Sequence, residues 1–161
     1  MIFRLFATIK KIRDEEMLMD IKWTWGKKDA CYEDALAIRK EVFIGEQGID
    51  PRLELDGTDE DKMHYVGYVD GQPVTTARID MLAGNRVKIQ RVATVASARQ
   101  HGYAGELIKS IIADGQRSEV AHIELDAQLT ALPFYQELGF VPVGEPFEEA
   151  GIQHRTVEYR G

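Results

Sequence analysis

Cysteine is nearly absent from the chain: 161 residues contain one, Cys31. A single thiol closes no intramolecular disulfide. That excludes a disulfide-stapled secreted scaffold and fits a reducing cytosol. Cys31 is expected to pack as a small hydrophobe at the start of a helix. Neither Cys-x-x-Cys nor His-Glu-x-x-His spacing occurs, so no metal site is expected. No apolar run is long enough to span a membrane. Basic residues are the minority, 20 Lys and Arg against 27 Asp and Glu, for a formal charge of −7. Phosphate backbones are held by basic stripes, so nucleic acid is not an expected partner. The dinucleotide pattern Gly-x-Gly-x-x-Gly and the P-loop pattern Gly-x-x-x-x-Gly-Lys-Ser/Thr are also missing, which sets aside Rossmann and P-loop sites.

There is no linker-like Gly/Ser/Pro tract, no repeat and no low-complexity stretch, so a single domain is expected. The apolar content, 44%, is enough for a real core. The start differs in tone. Met1-Ile2-Phe3-Arg4-Leu5-Phe6-Ala7-Thr8-Ile9-Lys10-Lys11 is basic and amphipathic, yet it lacks the apolar core and cleavage site of a signal peptide. Residues 1–18 are read as a leader outside the native fold, with translation expected to start at Met17 or Met19. Residues 19–161 form the domain.

Ile21-Lys22-Trp23-Thr24-Trp25 alternates as a strand does, and Asp29 can cap a helix running through Ala35, Ile38, Val42 and Phe43. Residues 65–69 and 74–79 read as strands joined by Asp70-Gly71, a hairpin turn pair. Gly84-Asn85 turns into a strand from Arg86 to Thr94. Ile123-Glu124-Leu125 is a short strand. Leu129 to Leu138 is a helix, with Thr130 as N-cap and Pro133 in the first turn. Residues 140–145 and 153–159 form a final antiparallel pair. Strands cluster early and alternate with helices late. The expected fold is therefore α/β (α+β), a mixed and mostly antiparallel sheet with one parallel step.

The chemistry concentrates after Thr94. In Arg99-Gln100-His101-Gly102-Tyr103-Ala104-Gly105, small residues open a helix whose apolar stripe is Leu107, Ile108, Ile111 and Ile112. The first N–H groups of a helix have no internal partner and sit at its positive end, so a strand feeding such an end makes a phosphate cradle. Arg99-x-x-Gly102-x-Ala104 resembles the acyl-CoA pyrophosphate loop of the GNAT superfamily of N-acetyltransferases. Phe134-Tyr135, followed by Gly139-Phe140, resembles the second signature of that superfamily, and Gln128 stands where many members carry Asn. Arg39, Val42, Phe43 and Glu46-Gln47-Gly48, then Glu54, Asp56, Asp59 and His64, resemble the ElaA-like/YjcF-like branch of small bacterial acetyltransferases.

The resemblance implies a single GNAT domain of six to seven strands and about four helices. Its sheet would be splayed where the strand ending at Thr94 parts from the one ending at Leu125. It implies acetyl transfer from acetyl-CoA to a small-molecule or peptide amine by direct attack. Backbone groups from Gln100, His101, Gly102, Tyr103, Ala104 and Gly105 would hold the pyrophosphate, with charge added by Arg99. Val92, Ala93 and Thr94 would meet the pantetheine amides, and Gln128 could bond them too. A backbone N–H, that of Val92, would stabilise the oxyanion, and Tyr135 would be the general acid. The place where some members carry a base is Ile123 here. His64, His154 and Glu46 are therefore the base or acceptor-site candidates, with Glu54 and Asp56 more in keeping with holding a loop. An acyl-homoserine-lactone-synthase-like enzyme and a non-catalytic acyl-CoA-binding module are the alternatives. A cytoplasmic location and an amine substrate are expected, with membrane contact excluded and a homodimer allowed.

Overall fold

The computed structural model describes residues 18–161. The expectation for the leader therefore lies outside the described residues, apart from Leu18. Seven strands form one sheet in the order β1-β2-β3-β4-β5-β7-β6. They are β1 (Asp20–Trp25), β2 (Met63–Val69), β3 (Gln72–Leu82), β4 (Arg86–Thr94), β5 (His122–Gln128), β6 (Phe140–Glu149) and β7 (Ile152–Tyr159). Only β4 and β5 pair in parallel; every other neighbour is antiparallel. Among the described residues four α-helices accompany them: α1 (Ala30–Arg39), α2 (Pro51–Glu54), α3 (Tyr103–Arg117) and α4 (Leu132–Glu137). This is the expected GNAT-type α/β architecture. Among the described residues no helix is long and apolar enough to cross a membrane.

Two apolar layers cover the sheet. On one face Leu107, Ile108, Ile111 and Ile112 of α3 pack on Ile79, Ile89, Leu125 and Val157. On the other, Cys31, Ala35 and Ile38 of α1 pack with Val42, Phe43, Val66 and Ala93. The Asp70-Gly71 turn has φ of 50° and 75°, the left-handed pair a tight hairpin needs.

Four elements differ from the sequence reading. The helix capped by Asp29 stops at Arg39 and continues as a π-helical segment, Lys40–Glu46, whose wider turns carry Gln47 N–H to the Val42 carbonyl. β5 has seven residues rather than three, because Asp126, Ala127 and Gln128 pair with Thr156, Arg155 and His154 of β7. Thr130 does not cap α4: a 3-10 turn, Leu129–Ala131, takes up the register, and Ala131 precedes the helix. β6 runs on to Glu149 despite Pro142 and Pro146. It lies at the sheet edge, where a missing N–H costs no ladder bond.

Candidate active site

The site is made where the parallel pair comes apart. β4 and β5 are in register from Arg86↔His122 to Ile89↔Leu125, and no further. Beyond that point β4 stays with β3 up to Thr94, and β5 stays with β7 up to Gln128. The parting begins one step from a bulge. Gln90 faces Arg78 and Ala93 faces Thr76, so Arg91 and Val92 stand against Ala77 alone. Arg91 has φ 54°, a left-handed conformation that costs a non-glycine residue about 1 kcal/mol or more. Its guanidinium holds the strained turn in place, with Nε 2.8 Å from Glu54 Oε2.

The resulting cleft has a volume of about 310 Å³. Val92, Ala127, Ala131 and Tyr135 line its inner part. Gln47, Ile49, Leu53 and Glu54 form one wall, and Glu149, Ala150 and His154 form the other. Lys88 and Asp126 lie on the floor, 2.7 Å apart, and Thr156 Oγ1 donates to Asp126 at 2.7 Å.

At the head of β4 the loop folds as a cradle. Gln100 and Gly102 both have positive φ, 65° and 80°, and alternate with residues of negative φ. Such alternation turns successive N–H groups to one side. Gly102 precedes α3 without a side-chain cap, so the first N–H groups of a 15-residue helix keep no side-chain partner. A Cβ added at Gly102 would meet nothing within 4 Å, and one at Gly105 would make only ordinary contact with Phe134. The space beside Gly102 is open to a phosphate-sized group, which is the fit a pyrophosphate needs, whereas Gly105 packs toward Phe134 and Leu138. The His101 and Tyr103 rings stack at 5.5 Å beside it. Ala93 is buried against α1 and Thr94 Oγ1 bonds Thr75 Oγ1, so these two offer backbone rather than side chain to the opening.

The profile of the acetyltransferase (GNAT) domain matches residues 27–160. The chain belongs to the GNAT acetyltransferase family. It is 31% identical over 129 residues to the uncharacterised N-acetyltransferase YjcF of Bacillus subtilis, covering 80% of this chain and 91% of YjcF. The structure of an acyl-CoA N-acyltransferase from Pseudomonas aeruginosa superposes with a TM-score of 0.77 at 27% identity, covering 89% of this chain and all of that one. Escherichia coli ElaA superposes equally well, with a TM-score of 0.77 at 25% identity over 88% of this chain and 99% of ElaA. Both branch names in the sequence resemblance thus have counterparts among the relatives of this GNAT protein.

Tyr135, on α4, is 6% exposed. Burial pushes its hydroxyl above the ordinary range, and among the described residues that hydroxyl has no hydrogen-bond partner. Gln128 reaches across the cleft mouth, and its Nε2 donates to Gln47 Oε1 at 3.0 Å. Arg99 Nη1 and Nη2 donate to Glu46 at 2.9 and 2.7 Å, so the guanidinium and a base candidate are bound to each other.

The structure separates the remaining candidates. His64 does not reach the cleft: it is 0% exposed, its Nε2 donates to the Asp59 carbonyl at 2.9 Å, and its ring meets Tyr32 edge-on. It is a core histidine, not an acceptor-side base. Glu54 lines the cleft, but its carboxylate is shared between Arg39 and Arg91. Asp56 is held by Arg78, with Nη2 2.9 Å from Oδ2. These groups belong to one network, buried except at its Asp56 edge. Arg39 also bonds Asp59 at 2.9 Å, Arg78 Nη1 bonds Asp59 at 2.8 Å, and Tyr32 donates to Asp59 at 2.8 Å. The carboxylates of the branch motif thus join three arginines, Arg39 of the motif with Arg78 of β3 and Arg91 of β4, in a set that clamps the segment 50–62 to the sheet. Cutting one member leaves charge buried without its partner. Asp59→Asn is therefore expected to destabilise the fold by roughly 3–5 kcal/mol in urea titrations.

The network also sets a pH dependence. Burial holds His64 below the ordinary imidazole range, with Arg39 and Arg78 adding to the effect. Burial opposes ionisation of Asp56 and Asp59, but the arginines outweigh it and hold both below the ordinary carboxylate range. Below about pH 6.5 the unfolded chain takes up a proton that folded His64 refuses, so stability falls as pH falls. A second loss begins below about pH 4, where unfolded aspartates protonate before folded ones. Thermal melts from pH 8 to 3 are expected to show both steps, and His64→Gln to remove the first alone.

His154 is the candidate that the cleft does contain. Its Nδ1 lies 2.7 Å from the Ile152 carbonyl. A carbonyl can only accept, so Nδ1 carries the proton and the neutral ring keeps its lone pair on Nε2. Phe147 stacks on the ring at 5.9 Å. Sequence reasoning did not assign Lys88, Gln90, Arg91 or Asp126 to the site. The alternation Ile123-x-Leu125-x-Ala127 was the available signal for Asp126, since it puts the intervening side chains on the opposite face.

Proposed function

We propose that this GNAT protein transfers an acetyl group from acetyl-CoA to a small-molecule or peptide amine by direct attack. The observation that carries this reading is the parting of β4 from β5: it opens a cleft lined by Val92, Tyr135 and His154, and β4 runs on from the same point through Thr94 toward the uncapped end of α3. An acyl thioester laid along β4 would have its phosphates at Gln100–Gly105 and its reacting carbon near the bulge.

The amine lone pair attacks the thioester carbon. The bulge puts backbone polar groups of Arg91 and Val92 outside the regular ladder, and the Val92 N–H is the donor for the developing oxyanion. The adduct collapses by breaking its C–S bond. The departing thiolate takes the Tyr135 proton, and the excess proton of the new amide nitrogen passes to His154 Nε2. Burial keeps the proton on Tyr135 until that moment. It also disfavours a bare thiolate, so donor and acceptor stay matched. Solvent resets both groups.

His154→Ala is expected to lower kcat/KM by about tenfold to 100-fold without lowering the melting temperature. Thiol release from acetyl-CoA, measured on a panel of polyamines, amino acids, aminosugars, arylamines and peptides, tests the reading and supplies the substrate for that comparison. Wild-type kcat/KM retained in the variant would return the base to solvent.

A further inference from the structure

One wall of the cleft is fastened differently at its two ends. Its inner end is Glu54, 2% exposed, clamped by Arg39 and Arg91. Its outer end leaves the π-helical segment at Glu46 and Gln47, where the fastening is half-exposed and polar. Glu46 takes two hydrogen bonds from Arg99, and Gln47 takes one from Gln128. Arg99 is the last residue before the phosphate cradle and Gln128 is the last of β5. The two ties thus run from the acceptor wall to the two limbs of the open sheet.

Arg99 is committed to this arrangement. Nε donates to the Thr94 carbonyl at 3.0 Å, while both terminal nitrogens face Glu46 in the bidentate form that suits a guanidinium and a carboxylate. Three donors on two acceptors fix the direction of the planar group. The cradle itself needs no side chain from Arg99, since its donors are backbone N–H groups from Gln100 onward. The π-helical segment behind Glu46 is closed at its end by Gln47 N–H to Val42 and Ile49 N–H to Phe43. Segments of this kind recur at functional sites, and these two amides report whether the ties of the outer wall hold.

We propose that Arg99 and Glu46 are positioning residues for the acceptor wall: their ion pair sets the width of the amine side of the cleft, and Arg99 is not a phosphate ligand. The assignment takes the acetyl-transfer reading of the cleft as given. It gives Glu46 a role other than the base, and it makes the loop that holds the cofactor the same loop that fixes the acceptor's wall.

The test uses the full chain and the variants Arg99→Ala, Glu46→Gln and the exchanged pair Glu46→Arg/Arg99→Glu. Hydrogen exchange is followed at the Gln47 and Ile49 amides. Acetyl-CoA affinity is measured by calorimetry, and amine KM and kcat by thiol release with the best amine of the panel. Either single variant is expected to speed exchange at both amides by about tenfold, since a tie that no longer holds lets the segment open locally. Each should raise amine KM about fivefold with acetyl-CoA affinity within about threefold, the pattern of lost acceptor binding. The exchanged pair should restore both readouts toward wild type. Three results overturn the proposal: acetyl-CoA affinity lowered tenfold or more by Arg99→Ala alone, exchange at the two amides unchanged, or an exchanged pair as defective as the single variants. Failure of wild-type protein to bind acetyl-CoA would instead defeat the acetyl-transfer reading. The exchange measurement would still decide whether the tie holds the wall.

Discussion

Tyr135→Phe is expected to lower turnover by about 100-fold or more while acetyl-CoA binds with its affinity changed by less than about threefold. The substitution removes one oxygen and keeps the ring. Tyr135 packs edge-on against Phe134 and Phe140, at 4.9 and 5.8 Å between centroids. Those ring contacts survive the change. Among the described residues the hydroxyl has no hydrogen-bond partner, so no bond is broken. Stability should therefore hold or rise slightly. The loss falls on the step in which the thiolate leaves, so it appears in kcat and in kcat/KM alike. Turnover within about threefold of wild type, on a substrate found in the amine panel, would make Tyr135 a packing residue and nothing more.

Gly102→Glu is expected to abolish stabilisation by acetyl-CoA. Saturating ligand at about 100 times Kd stabilises a protein by about 2.7 kcal/mol, which the melting temperature reports. Two effects remove it. The φ of 80° at Gly102 is strained for any residue with a Cβ, at roughly 1–2 kcal/mol. A carboxylate at the head of α3 then competes for the same N–H groups and repels the pyrophosphate. Gly102→Ala separates the two: it carries the strain without the charge and should keep most of the ligand-induced shift. A full shift in Gly102→Glu would move the cofactor's phosphates away from this loop.

How much of this could be read from the chain follows from which forces are local. The α3 stripe at Leu107, Ile108, Ile111 and Ile112 is periodic, and all four are buried. The Asp70-Gly71 turn depends on two dihedral angles that these residue types favour. Both were legible. The π-helical segment was not, because Lys40–Glu46 has ordinary helical composition and its widening answers to the layer that Val42 and Phe43 join. β5 is longer than its sequence signal because Asp126 and Gln128 look like loop residues until β7 lies beside them. The two histidines show the limit most clearly. Each begins or nearly begins a strand, and nothing local distinguishes them. His64 is on an interior strand, closed in by Asp59 and Tyr32, whereas His154 pairs with Gln128 at the point where β5 has lost β4. Likewise Arg39, Glu54, Asp56 and Asp59 stand out as a motif, but only the fold shows that Arg78 and Arg91 complete the pairing of its carboxylates.

The most direct test of acetyl transfer in the β4–β5 cleft is enzyme-dependent thiol release from acetyl-CoA across the amine panel, with the product mass recorded and Tyr135→Phe and Gly102→Glu run in parallel. The account predicts that at least one amine class yields thiol and acetylated amine in equal amounts, with the signal strongly reduced in both variants. Acetyl-CoA that binds and stabilises the protein, yet releases no thiol above background with any amine class, would contradict it and leave an acyl-CoA-binding module.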